Sequence, residues 1–252
     1  MLPEIVFIGS GKVAGYLSDA WKNSGVVIRQ NFSQSGKKLH EDIPVTSNYA
    51  SLNTSGALVI VAVKDDAIEE VSKALAGKKM AGVAHTSGTV STEVFKNISE
   101  NRGALWPIFS FSGKISQTKF PVLITAESDS IQQQLHDLAS IVSSEIRFVS
   151  DDQRKWMHLA AVFTNNFSNH LFAVAQDLLK GKNIDPKILL PIFRQTVDKL
   201  ELNSPEESQT GIARRGDRTA IAKQIEMLAS DADARELYEI FTNQILKKYH
   251  GK

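Results

Sequence analysis

Cysteine is absent from the 252 residues, which excludes disulfides, thiolate zinc sites and a cysteine nucleophile. Charge of one sign is lacking too. The 29 basic and 28 acidic residues leave a formal net charge of +1, too little to hold a phosphate backbone or an anionic lipid surface. Neither nucleic acid nor membrane is therefore expected as a partner. No apolar run approaches the roughly 18 residues of a membrane span. The opening MLPEIVFIGS carries neither the basic segment nor the cleavage pattern of a signal peptide. These absences lead to the expectation of a soluble cytoplasmic chain without a metal site, with core enough for one large domain or two modest ones.

What is present begins at residues 5–14, IVFIGSGKVA. A short apolar run breaks into Gly9, Gly11 and Ala14 where a helix should start. This predicts a strand, a tight turn and a helix N-terminus shaped for a pyrophosphate. Gly9 permits the turn, Gly11 lacks the Cβ that would block a phosphate, and Ala14 lets the helix lie close to the strand. Unpaired N–H groups and the helix dipole favour an anion there, the dipole contributing roughly 0.3–1 kcal/mol. Gly9, Ser10, Gly11, Lys12, Val13 and Ala14 are the expected cradle of a dinucleotide.

Further on, β-branched runs alternate with helical segments: VVIRQ (26–30), ALVIVAV (57–63), AGVAHTSG (81–88), GALWPIFSF (103–111), PVLITA (121–126) and EIRFVS (145–150). That rhythm predicts a doubly wound α/β sheet. From 152 to 249 only helical patterns occur, with Asp185 before Pro186 reading as an N-cap with proline at the first helical position. The expected organisation is a dinucleotide-binding domain over 1–150 and a helical domain over 151–252.

An acid about 20 residues beyond the glycines, which binds ribose hydroxyls in NAD-type sites, is missing. The second strand runs instead into Asn31, Phe32, Ser33, Gln34, Ser35, Gly36, Lys37 and Lys38, with no carboxylate before Glu41. A 2′-phosphate carries about 1.5–2 negative charges, so this loop suits NADP better than NAD. Asn31, Ser33, Gln34, Ser35 and Lys37 are assigned to that end of the cofactor. Ligands in open α/β sheets lie at the carboxyl ends of strands. Val63 and Lys64 are expected to line the cofactor after the third strand, with Asp65 or Asp66 capping the next helix. After the fourth, His85, Thr86 and Ser87 stand where a nicotinamide would project, Thr86 beside the cofactor and Ser87 holding substrate. Trp106-Pro107 offers an aromatic wall after the fifth.

Projected at 100° per residue, the helix WMHLAAVFTNNFSNHLFAVAQDLL puts Trp156, Ala160, Phe163, Phe167 and Val174 on one side, the expected core stripe. His158, Asn165 and Asn169 fall on the other, as a candidate substrate face. Between later helices, Gln209 to Asp217 carries two arginines and an aspartate that can bind a carboxylate or phosphate, or form an internal ion pair.

Taken together, FIGSGKVA, VAVKDDAI, AHTSG, LWPIFSF, LAAVFTNNFSNHL and QTGIARRGD span nearly the whole chain. They resemble a family of uncharacterised oxidoreductases pairing a Rossmann-type NADP-binding domain with a helical dimerisation domain. More distantly the chain is similar to pyrroline-5-carboxylate reductase, to NADP oxidoreductases that use a deazaflavin, and to β-hydroxyacid dehydrogenases. The resemblance implies a nicotinamide-dependent reductase or dehydrogenase, an active site between domains and a homodimer formed by helix packing. It implies no particular substrate. The chain also departs from these relatives. Ala161 occupies the position, four before Asn165, where β-hydroxyacid dehydrogenases carry their acid/base lysine. Trp106-Pro107 replaces a His-Pro or Tyr-Pro, and Gln34 an arginine.

The reading that results is hydride transfer between NADP(H) and a small polar carbonyl or imine. His158, ahead of His85, is the general acid, since histidine titrates near neutrality, and Ser87 and Asn165 hold the substrate. Two alternatives remain, a non-catalytic NADP-binding redox sensor and a deazaflavin-dependent NADP oxidoreductase.

Overall fold

The computed structural model describes residues 2–111 and 119–251. The chain divides into two compact units, 1–165 and 166–252. Unit one is built on an eight-stranded sheet of β1 (Ile5–Ile8), β2 (Ile28–Phe32), β3 (Val45–Thr46), β4 (Leu58–Val61), β5 (Gly82–His85), β6 (Arg102–Pro107), β7 (Phe120–Ala126) and β8 (Ser143–Phe148). Its order is β3-β2-β1-β4-β5-β6-β7-β8. The first six strands are parallel, β7 is antiparallel to β6, and β8 is parallel to β7. This is the doubly wound Rossmann arrangement, with its crevice where strand order reverses between β1 and its neighbours β2 and β4.

The central strands are continuous apolar runs because helices cover both faces. Ile5 and Phe7 pack with Trp21 of α1 (Lys12–Asn23), while Val6 and Ile8 pack with Ile68 and Val71 of α2 (Ile68–Ala74). The Trp21 indole donates 3.0 Å to the carbonyl of Leu138 in α3 (Asp129–Val142), tying the two helices on one face together. Each expected strand is found. β2 runs two residues past its expected end, and β3 escapes a reading by periodicity because it has only two residues.

After the sheet, a Ser150–Gln153 capping box opens α4 (Asp151–Ala161), which passes into a π-helical turn over Val162–Phe167. The division between units therefore falls at 165/166 rather than 150/151. Asp151 and Arg154 bind the loop after β5 and strand β7, so α4 belongs with the sheet.

The second unit holds α5 (Ser168–Leu178), α6 (Leu190–Leu202), α7 (Pro205–Ser208), α8 (Ile212–Arg215), α9 (Arg218–Met227) and α10 (Ala232–His250), with no strand among the described residues. Asp185 accepts from the Lys187 N–H ahead of Pro186, as the sequence predicts. Among the described residues the Gln209–Asp217 segment forms no ion pair between its arginines and Asp217. Arg214 lies 4.2 Å over the Tyr249 ring, and Asp217 caps α9 by accepting from Ala220 N–H at 3.0 Å. Arg214 is thus stacked on an aromatic ring and Asp217 is engaged at a helix start. No described helix is long and apolar enough to cross a membrane.

Candidate functional site

At the end of β1, Gly9 adopts φ +113°, and a Cβ there would meet the Ala62 carbonyl oxygen at 2.2 Å. Only glycine fits. Asn31, fully buried on β2, braces this turn by donating to the carbonyls of Gly9 (3.1 Å) and Phe32 (3.0 Å). Its place is thus under the cradle rather than on its rim. Gly11 is the N-cap of α1, extended, with no side-chain capping bond and no acid in the first turn; nothing stands within 4 Å of a Cβ built on it. The first turn thus carries no side-chain cap and has open space beside Gly11, a condition for anion binding. Ala14 is buried in the core below, while Lys12 is exposed and Val13 partly so.

Beside this turn lies a cleft of about 390 Å³, lined among others by Gly9, Ser10, Ser33, Gln34, Ser35 and Val63. Its hydroxyls form a row: Ser10 Oγ is 2.9 Å from Ser33 Oγ, which is 3.2 Å from Ser35 Oγ and accepts the Lys37 N–H at 3.1 Å. Lys37 and Lys64 are exposed nearby in sequence, outside that lining. The cleft also contains residues that sequence reasoning missed, Ser47, Tyr49 and Glu70. The Tyr49 ring stacks on Phe32 at 3.9 Å, and burial, reinforced by the charge of Glu70, raises its phenol above the usual range. An Asn48 cap on the short Tyr49–Ser51 turn was the one available sequence signal.

Past β5 the picture differs from expectation. His85 has no exposed surface, and burial, with the nearby Arg154 charge, pushes its imidazole down to about 4. It is neutral at pH 7 and accepts the Ser87 N–H on Nδ1 at 3.2 Å. A side chain so placed organises the loop, its ring 5.8 Å from that of Phe95. The Ser87 hydroxyl accepts from Thr89 N–H (3.0 Å) and Val90 N–H (3.1 Å), which holds the turn. Thr86 N–H donates to Val61 carbonyl at 3.1 Å. Asp65 does not cap α2; its carboxylate accepts from Thr89 Oγ1, and Lys64 is the N-cap of the turn at Asp65–Ala67.

His158 comes to this loop from α4. Its ring lies 5.4 Å from that of Trp106, and a Cβ on Gly88 would fall 2.7 Å from His158 Nδ1 and 2.8 Å from Trp106 Cε2. Gly88, Trp106 and His158 are thus brought together. Asn165 lies exposed in the π-helical turn. The expected core stripe is reversed: Trp156 is 65 % exposed, Phe163 62 % and Phe167 45 %. Arg154 and His158 turn the other side of α4 toward the sheet, and the π turn inserts a residue that breaks a 100° projection.

Among the described residues no cluster of histidine and acidic side chains is able to hold a metal. Fold and site define a Rossmann-type domain with an open glycine turn at its switch point, followed by a helical unit. The model of the family described as a domain of unknown function, DUF2520, matches residues 120–245, half of the chain, and the chain belongs to that family. A candidate NADP oxidoreductase from Bacteroides fragilis is similar at 32 % identity and TM-score 0.87, with 98 % of both chains covered. Two further structures share the fold. A reductive aminase from Aspergillus terreus in complex with NADPH and ethyl levulinate has 11 % identity, TM-score 0.71 and coverage of 100 % of this chain and 96 % of its own. A pyrroline-5-carboxylate reductase from Coxiella burnetii has 16 % identity, TM-score 0.58 and coverage of 99 % and 98 %. No match is found among curated proteins.

Proposed function

We propose that the protein is an NADP(H)-dependent oxidoreductase acting on a small polar carbonyl or imine. The observation that carries this reading is the uncapped start of α1, open above Gly11, beside the row of Ser10, Ser33 and Ser35. The likeness to an NADP oxidoreductase at 32 % identity supports it. When bound, the cofactor supplies the hydride chemistry. The chain's residues do the rest. First-turn N–H groups between Gly11 and Ala14 hold the pyrophosphate, with Gly9 and Asn31 fixing the turn. Ser33, Ser35, Gln34 and Lys37 meet the 2′-phosphate on a loop free of carboxylates, and Val63, Lys64 and Thr86 line the path toward the nicotinamide. Among the described residues Glu70 is the one acid lining the cleft, and it belongs to α2, not to that loop. Trp106 walls the reacting end, His158 delivers the proton, and Asn165 holds substrate. His85 keeps the loop in shape and leaves proton transfer to His158.

A homodimer joined through helical faces accords with the exposed apolar residues of α4 and of the second unit, Trp156 and Ile192 (63 %) among them. The absence of a lysine at Ala161 favours a second reading, an NADP-binding sensor without turnover.

Thermal-shift titration with NADP, NADPH, NAD and NADH tests the proposal. A ligand at about 100 times its dissociation constant adds roughly 2.7 kcal/mol, so NADPH is expected to raise the melting temperature clearly and NADH less. No shift with any of the four sinks it. If NADPH binds and a carbonyl and imine panel is never reduced, the sensor reading replaces it.

A further inference from the structure

A buried ion pair fastens α4 to the loop after β5, and nothing in the proton-transfer reading uses it. Arg154 is fully buried. Its guanidinium donates to Thr125 Oγ1 on β7, to the Val90 carbonyl and, at 2.7 Å, to Asp151 Oδ1. Asp151 Oδ2 accepts from the Ser91 hydroxyl, from Thr92 N–H at 2.9 Å and from the Thr92 hydroxyl at 3.1 Å. Three segments meet here: β7, the loop of residues 86–92 and the first turn of α4. One helical turn beyond Arg154, on the same face, stands His158 against Gly88 of that loop.

Burying a guanidinium is costly, and a well-packed apolar pair of similar volume often stabilises as well or better. Cohesion alone does not call for this pair. What the fork adds is direction, because its donors are coplanar and rigid and fix acceptors in register where apolar contacts slide. We propose that Arg154, together with Asp151, is a positioning residue: it sets the register of α4 against the 86–92 loop and so places the His158 imidazole over Gly88 and beside Trp106. The catalytic meaning rests on the reading of His158 above; the register stands on geometry alone. Neutral His85, accepting the Ser87 N–H, steadies the same loop from the strand side.

The test uses the ring-current shift that Trp106, 5.4 Å away at 59°, imposes on the carbon-bound protons of His158. Histidine spectra, urea unfolding and NADPH titration are recorded for wild type, Arg154→Lys and the double variant Arg154→Met with Asp151→Leu. The double variant is expected to lose some stability, because the Thr92 N–H and the Val90 carbonyl lose their partners, yet to stay folded and to bind NADPH within about two-fold. Its His158 signals are nonetheless expected to lose the ring-current displacement, while those of His136, 6.0 Å from Phe148, do not move. Arg154→Lys, which keeps charge and loses the fork, is expected to fall between. Unmoved His158 signals in a folded double variant, or in Arg154→Lys should the double variant not fold, overturn the proposal. Failure of wild type to bind NADPH sinks the enzymatic reading instead and leaves the ring currents to decide the register.

Discussion

Gly9 shows how one residue sets the site. Its positive φ is strained for any L side chain, and the Ala62 carbonyl occupies the place of a Cβ. Gly9→Ala is expected to cost about 3 kcal/mol from backbone strain and overpacking, read as a lower urea midpoint, with loss of NADPH binding. His85 makes the second residue-scale prediction. An ordinary histidine titrates near 6.5, and here the folded value is lowered to about 4. As pH falls below 6.5 the unfolded chain takes up a proton that the folded one refuses. Stability is therefore full above pH 6.5 and declines toward pH 4, by on the order of 3 kcal/mol. Urea unfolding across that range is expected to show the slope, and His85→Asn, which keeps an acceptor and does not titrate, to flatten it. Asp151 is a separate case: burial raises its carboxyl, yet the Ser91 hydroxyl and Arg154 outweigh this and hold it below the usual range. Its contribution is lost only at still lower pH.

Elements explain what was legible. The β1 turn was readable because the chemistry of Gly9, Gly11 and Ala14 is local, resolved within ten residues. Tyr49 and Glu70 were not, since they reach the cleft through β3 and α2 and no spacing in the chain links them to Ser33. The apolar side of α4 was misread for another reason. Periodicity finds a stripe but cannot say that a buried arginine will choose the opposite side for the sheet. The loop after β2 carries the third prediction. Ser35→Asp puts a carboxylate on the rim where the hydroxyl row ends. Two unit charges 4 Å apart interact by at most about 4 kcal/mol at a surface-like dielectric, less when screened by salt. NADP affinity is expected to fall roughly ten-fold or more, about 1.4 kcal/mol, and NAD affinity to hold. Equal losses for both, measured by titration, would remove the loop from the 2′-phosphate site.

For the whole molecule the matter is association. Ile188 (70 %), Ile192 (63 %) and Val197 (57 %) leave the second unit with more uncovered apolar surface than a lone helical domain ordinarily shows. On the proposed homodimer, wild type is expected to run as a dimer in light scattering and the paired substitution Ile188→Glu and Ile192→Glu to give monomers. A wild-type monomer at high concentration would defeat the homodimer. Sheet edges face the opposite pressure. One border is β3, two residues long; the other is β8, where Glu145 and Arg147 pair at 2.7 Å. Brevity at one margin and fixed charge at the other deny an incoming strand a flat, greasy template. Fibrous stacking through strand edges is thereby disfavoured at both ends of the sheet.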